Sequence, residues 1–390
     1  MAKIMVAMSG GVDSSLVAAL LHEAGHHVTG VTMHLWDGDD ERLAESLCCS
    51  LEMTESARRV CAQLGIPYYV FNYQKEFRRH VIEYFLHEYA QGYTPNPCLA
   101  CNRDIKFRAL LTRAAALGFD YVATGHYARI RRVDERRNME DKRRVGAADS
   151  SCVLAPSSFQ LLRARDRDKD QSYMLHMLGQ ADLARLMFPI GEYSKPQVRA
   201  LAAERGLASA DRPESQDICF VPGGDYRNLL REERPESLRP GPIVDLAGRE
   251  IGRHQGLPLY TIGQRRGLGV AAGEPLYVTA LDASRNAVVV GPAAALERRS
   301  LEATQVTFVG GEWPEAPFEC LAQIRSHADP VAAQVTPGAA GQVTVEFARP
   351  QRAVTPGQAV VLYDGEVVLG GGRISAEKPA VQSQPAAPNA

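Results

Sequence analysis

The chain has 390 residues, more than one hydrophobic core usually holds, and 45% of them are hydrophobic, which suits two or three domains and excludes a disordered chain. Charged residues make up 23% and the formal net charge is -2, so any nucleic-acid contact must come from a local basic surface. The opening MAKIMVAMSGG is too short in apolar residues for a secretory signal and no long apolar run follows, so a cytoplasmic protein without membrane contact is expected, and monomer is the default. Its eight cysteines then point to burial, metal binding or redox and sulfur chemistry rather than to a disulfide framework.

In chain order, KIMVAM reads as a buried strand and Asp13 to Ala24 as a helix, with Leu16, Val17, Leu20 and Leu21 at helical spacing and Gly25 as its stop. A strand over His27 to His34, a helix over Thr54 to Leu64 closed by Gly65, and a strand over Pro67 to Asn72 follow. Phe77, Val81, Phe85 and Tyr89 form the stripe of a long helix that Pro95 and Pro97 stop; Ile105 to Leu117 resumes a helix, and DYVAT adds a strand before Gly125. This alternation predicts a doubly wound parallel sheet. Arg131 to Ser158 reads as a surface excursion of mixed charge, and helical character returns over Gln171 to Arg205, where Ser194 with Pro196 marks a helix start. Beyond about residue 210 the composition turns to Gly, Pro and β-branched residues, with alternating stretches at Leu276 to Leu281, Ala287 to Val290, Gln342 to Phe347 and Ala359 to Tyr363. Asp364-Gly365 is a hairpin signal, so a small antiparallel barrel is expected, then a disordered tail after Ser375. The expected units are residues 1–209, 210–292 (a small central α+β domain) and 293–375, with 376–390 as the tail.

The first strand runs into Ser9-Gly10-Gly11-Val12-Asp13-Ser14-Ser15 and then a helix, which places a glycine-rich turn and a helix N-terminus where anions bind in open α/β sheets. Ala7, Met8, Ser9, Gly10, Gly11, Val12, Asp13 and Ser14 are therefore expected to hold a nucleotide phosphate, with hydroxyls of Ser9 and Ser14 as added donors and Asp13 as a helix cap or a Mg²⁺ ligand. The Lys-Ser/Thr pair of a Walker loop is missing; the loop resembles the SGGxDS loop of the pyrophosphatase-type nucleotide-binding families, which adenylate a substrate and release pyrophosphate. Cys98 and Cys101 stand in TPNPCLACNR, a proline-broken loop entering a helix whose N-terminus lowers a thiol pKa. Half a zinc site or a redox CxxC remain open for them, and Cys219, apolar on both sides, reads alone as a core cysteine. Lys169 and the run Gln264-Arg265-Arg266-Gly267 beside Tyr260 fit RNA phosphate or a solvated loop.

SGGVDSS, Met33 after the second strand, CCSLE, LGIPYYVFN, TPNPCxxCN, IKF, ATGHYARI, KDQSYML, ICFV, TIGQRRGLG and AVTPGQAVVLYDGEVVLGGG occur in one order over nearly residues 3 to 374. In that order the chain resembles the tRNA-specific 2-thiouridylases. The resemblance implies an N-terminal sheet of the adenine-nucleotide α-hydrolase type, ATP with Mg²⁺, tRNA as substrate (the wobble uridine of the lysine, glutamate and glutamine tRNAs), and a cysteine desulfurase or sulfur carrier as donor. It also implies that Cys101 is the nucleophile, that Cys219 carries a persulfide, and that the two end the cycle as a disulfide. Asn96, Pro97 and Cys98 would meet the target base, although family members often have aspartate at the position of Cys98. Met33 and Gly125 would line the adenosine site, and His126, Lys169, Asp170, Gln171, Arg325, Ser326 and Gln358 would face tRNA. Two other readings stay open: a nitrogen-transferring synthetase of the same loop type, which needs no pair of thiols, and a non-catalytic RNA-binding or zinc protein.

Overall fold

Ile4, Met5 and Val6 are all 0% exposed, which requires a strand covered on both faces. The computed structural model describes residues 1–36, 51–133, 158–210, 218–270 and 273–376. Its first strands are β1 (Lys3–Ala7), β2 (His27–His34), β3 (Tyr68–Asn72), β4 (Tyr121–Ala123), β5 (Ala128–Arg132), β6 (Phe159–Arg163) and β7 (Leu186–Met187). A five-stranded sheet runs β3-β2-β1-β4-β7 with every pairing parallel. Side-chain alternation along β1 divides the interior: Met5 joins one core with Val31, Phe71 and Val122, while Ile4 and Val6 join another with Leu16, Val17 and Val28. The doubly wound sheet is as the sequence predicts. The edge strand β7 falls inside the stretch read as helical, which holds only short helical turns before Ser194.

The helices are α1 (Val12–Glu23), α2 (Leu51–Leu64), α3 (Gln74–Phe77, Arg78–Ile82 and Glu83–Ala90 end to end), α4 (Pro97–Ala100, Cys101–Ala109 and Leu110–Ala116 end to end), α5 (Gln180–Leu183), α6 (Lys195–Glu204) and α7 (Tyr226–Glu233). The middle segments of α3 and α4 are π-helical, a widening that is frequent at functional sites. Helix α4 corrects the expected loop around the cysteines: Pro97 starts the helix, and Asn96 caps it by accepting from the N–H groups of Cys98 (3.1 Å) and Leu99 (3.3 Å). A proline in the first turn forfeits no intrahelical hydrogen bond, so it initiates here where it would break an interior. Helix α6 starts as predicted, with Ser194 and Gln197 forming a reciprocal capping box.

A second sheet, β10-β11-β8-β9, is built from β8 (Gly241–Val244), β9 (Glu250–His254), β10 (Tyr277–Asp282) and β11 (Ala287–Gly291). The remaining strands are β12 (Glu297–Phe308), β13 (Phe318–Gln323), β14 (Val331–Pro337), β15 (Val343–Arg352), β16 (Ala359–Asp364) and β17 (Val367–Ile374). They run β12-β15-β14-β13-β16-β17, and the β12–β17 pairing closes six strands into the predicted antiparallel barrel. The alternation in β16 joins barrel to sheet domain: Val360 and Leu362 fill the barrel, while Ala359, Val361 and Tyr363 enter the core that holds Met5. The hairpin β5–β6 extends the barrel sheet through β17, Val367 opposite Leu162. Arg131 and Arg132 therefore lie in a strand rather than in the expected excursion. The rest of that excursion, the pair Cys48-Cys49 and nearly all of the expected tail lie outside the described residues. Among the described residues no helix is long and apolar enough to cross a membrane.

His176 sits in this interface, buried against Gly371 of β17, and burial pushes its pKa down from the usual histidine range to about 4. A base with a depressed folded pKa leaves stability unaffected above the unfolded value; below it the unfolded chain binds the extra proton. Stability is expected to fall by on the order of 3 kcal/mol between about pH 6.5 and pH 4. His176→Gln should flatten that slope in urea titrations at pH 7 and 4.5.

Candidate active site

The turn after β1 is held from three sides. The Ser14 hydroxyl accepts from the Ser9 N–H (3.1 Å) and donates to the Gly11 carbonyl (3.2 Å), so it tightens the loop and is not the open donor expected of it. Ser56 on α2 donates to the Gly10 carbonyl (3.0 Å), and Gly10 has φ +77 with the Met53 backbone pressed against its α-carbon. Gly125 closes the third side: a Cβ there would lie 2.9 Å from the Ser14 nitrogen and 3.1 Å from the Asp13 Cβ. Helix α1 begins from Gly11 with no side-chain cap, so its first N–H groups face the turn without an intrahelical acceptor. Met8 and Val12 are buried in the core, and the Met8 N–H and C=O are bonded to Val31 (2.8 Å) and Thr32 (2.9 Å); Met8 is the floor of the loop, Gly10 is buried against α2, and Ser9 and Gly11 reach its surface.

Asp13 is neither a cap nor open to a metal. Lys195 Nζ donates to both of its oxygens (2.9 and 2.8 Å), and the Tyr127 hydroxyl donates to Oδ1 (2.7 Å). Among the described residues no group of three His, Cys, Asp or Glu could hold a metal. This donor set does not fit a protein-held Mg²⁺.

Cys101 is buried in the core that also contains Phe77, Phe85, Tyr89 and Phe220, and Cys219, Ala7 and Met33 pack against that same core partly buried. Two thiols 118 positions apart, Ala7 of the expected phosphate loop and Met33 of the expected adenosine site thus border one cluster. Cys219 is placed by its neighbour: the Phe220 ring meets Phe77 edge-on at 5.8 Å and Phe85 at 5.3 Å. Phe220→Ala should cost about 3–5 kcal/mol of local packing, and sulfur transfer should fall far more than nucleotide binding, checked by assaying both. Cys98 is exposed one helical turn before Cys101. Asp104 cannot stand in for a missing carboxylate base, because Arg103 (2.8 Å) and Arg108 (3.1 Å) both pair with it.

The residues expected to face RNA divide in two. His126 is 8% exposed, lies against Phe107 and Phe188 with Nδ1 2.7 Å from the Thr124 hydroxyl, and burial drives its pKa well below the usual range. Asp170 accepts from Arg163 (2.6 Å) and from the N–H groups of Ala164 (3.0 Å) and Ser172 (3.1 Å). The side chains of both are largely internal. Lys169 is half-buried and Gln171 exposed, with Gln171 Oε1 accepting from the Tyr127 N–H (2.9 Å). On the barrel, Arg325 and Gln358 line a cavity of about 460 Å³ with Thr94, Thr261, Gly263 and Arg352; Ser326 adjoins it in sequence. Gln358 donates to the Thr94 carbonyl (2.9 Å), so the barrel is fastened to the segment that enters α4. Thr94, Lys195, Tyr127 and Phe220 are site residues that spacing does not mark; Thr94, inside TPNPCxxCN, Tyr127, inside ATGHYARI, and Phe220, inside ICFV, carry a motif that could mark them, and Lys195 carries none.

The family profile described as the tRNA methyl transferase HUP domain matches residues 2–223, a tRNA methyl transferase PRC-barrel domain matches 227–292 and an aminomethyltransferase beta-barrel domain matches 298–374. A protein of Roseiflexus sp. (strain RS-1) named tRNA-specific 2-thiouridylase MnmA is 77% identical over 96% of this chain and 100% of its own length. Proteins of the same name from Chloroflexus aggregans and Carboxydothermus hydrogenoformans are 64% and 50% identical, over 96% and 95% of this chain and 99% and 97% of theirs. Identity of this extent, over the loop, both thiols and the barrel together, places the chain in the tRNA-specific 2-thiouridylase family.

Proposed function

We propose that the chain is a tRNA-uridine 2-sulfurtransferase that thiolates the wobble uridine of the lysine, glutamate and glutamine tRNAs at the expense of ATP. The observation that carries this reading is the single core in which Cys101 is buried and against which Cys219, Ala7 and Met33 pack. An activated carbonyl and a sulfur donor need one place to meet.

A uracil 2-carbonyl is a poor electrophile, so it must be activated. Attack of its oxygen on the α-phosphorus of ATP breaks the α–β phosphoanhydride, releases pyrophosphate and leaves an adenylated base; the loop N–H groups from Gly10 to Ser14 offset the phosphate charge. Cys219 carries a persulfide supplied by a cysteine desulfurase or a sulfur-carrier protein. The Cys101 thiolate attacks the Cys219 sulfur, the outer sulfur leaves as hydrosulfide, and a Cys101–Cys219 disulfide forms. Hydrosulfide adds to C2, AMP departs with the original oxygen, and a proton is lost to give the thiocarbonyl. An external thiol then reduces the disulfide. Arg325, Arg352 and Thr94 around the three-way cavity, with Arg265 and Arg266 exposed on the central unit, suit the tRNA backbone.

Methyl transfer, the chemistry in the profile descriptions, makes no use of two thiols on one core, and a nitrogen-transferring synthetase would activate a small substrate. Pyrophosphate exchange with ATP separates these readings: exchange is expected only when tRNA bearing an unmodified wobble uridine is added. Exchange driven by a small acid or amide without tRNA would contradict it.

A further inference from the structure

A disulfide between Cys101 and Cys219 would form where a thiol from solution has poor access. Cys101 is 8% exposed, and Cys219 packs half-buried on the same core, placed there by Phe220 against Phe77 and Phe85. Exchange needs a thiolate that can reach the attacked sulfur, so burial slows reduction at that position. Cys98 is exposed and stands in the first turn of α4, which the Asn96 cap holds through the Cys98 N–H (3.1 Å). The turn between Cys98 and Cys101 is tight, because the Cys101 N–H donates to the carbonyls of both Pro97 and Cys98. A bond to the third residue back is the 3₁₀ pattern, in which side chains three apart eclipse. The α-carbons of such a pair are about 5–6 Å apart, within the span of a disulfide.

We propose that Cys98 is a resolving thiol. Its thiolate attacks the Cys101 sulfur of the Cys101–Cys219 disulfide, a Cys98–Cys101 disulfide forms, and Cys219 leaves as a thiolate ready for the next persulfide. One disulfide replaces another, so the step involves no net oxidation. The new disulfide has its Cys98 sulfur at the surface, where an external dithiol attacks it, restores both thiols and is itself oxidised to a disulfide. The inference rests on the sulfur-transfer reading above and adds to it only which disulfide meets the reductant.

One turnover of the full chain tests this, with Cys219 loaded with persulfide and with ATP, unmodified tRNA and no reductant, followed by acid quench, alkylation and peptide mass spectrometry without reduction. Wild type is expected to show Cys98 joined to Cys101 and Cys219 alkylated. Cys98→Ser and Cys98→Asp should both trap Cys101 joined to Cys219. With an external dithiol supplied, later turnovers of both variants should slow about tenfold more than the first. A residue that only contacts the base or shapes the helix would slow first and later turnovers alike. Cys101–Cys219 as the main disulfide of wild type, or later turnovers slowed no more than the first, would overturn the proposal. Thiolated tRNA formed with no disulfide of any kind would overturn the Cys101–Cys219 exchange itself, and this step with it.

Discussion

Replacing Cys101 or Cys219 with serine is expected to lower sulfur transfer to tRNA by more than about a thousandfold while tRNA-dependent pyrophosphate exchange stays within about threefold. Serine is close to cysteine in size and shape, so the core around Phe77, Phe85 and Phe220 should stay packed. A hydroxyl cannot carry a persulfide or break one, whereas adenylation uses only the loop and the base. The two losses should not add, because each thiol is half of one exchange. Cys98→Ser serves as the comparison: its side chain is exposed, and it has no sulfur-carrying step in the scheme, so its loss should be much smaller than either of the others. Single-turnover labelling with radioactive sulfur reads all three variants. A Cys219→Ser enzyme that still transfers sulfur would remove the persulfide from Cys219.

Gly10→Ala is expected to be the most damaging single change in the nucleotide loop. Its φ of +77 is a left-handed conformation, and an added Cβ would run into the Met53 carbonyl at the start of α2. Strain and clash together should cost about 2–4 kcal/mol, and the loop can relieve them only by moving away from α2 and losing the Ser56 hydrogen bond. ATP affinity should then fall about a hundredfold, the equivalent of about 2.7 kcal/mol. Gly11 provides the contrast: it has ordinary φ -84, and a Cβ there meets only the Ser9 hydroxyl at 3.5 Å. Gly11→Ala should therefore melt within a few degrees of wild type. Similar melting losses for both variants would show that the left-handed turn is not what holds the loop.

What the sequence made legible was local. KIMVAM, the glycine turn and the apolar spacing of α1 lie within two dozen residues, so strand, turn and helix could be read from periodicity and backbone sterics. The barrel was legible through alternation and through Asp364-Gly365, where β16 does turn into β17. Helix α4 was misread because Pro95 and Pro97 signal a break and a helix start with equal strength; only the Asn96 cap decides between them. The hairpin β5–β6 was hidden because Arg131 and Arg132 are exposed edge residues whose partners lie across a long insertion.

The site was legible in its parts and not in its connections. Asp13 and Lys195 are 182 positions apart, and no spacing rule joins them. Gln358 and Thr94 are likewise tied only in three dimensions. His126 and Asp170 entered by resemblance as RNA-facing residues, yet one is sealed between Phe107 and Phe188 and the other is bonded to Arg163 and two backbone amides. A polar residue type does not reveal which way its side chain turns.

The most direct test of sulfur transfer to the wobble base is mass spectrometry of nucleosides from unmodified lysine, glutamate or glutamine tRNA after incubation with the full chain, ATP and a persulfide donor. 2-Thiouridine is expected at the wobble position, and none when ATP is omitted. Unmodified uridine at that position, under conditions where Cys219 is shown to carry the persulfide and ATP is bound, would contradict it.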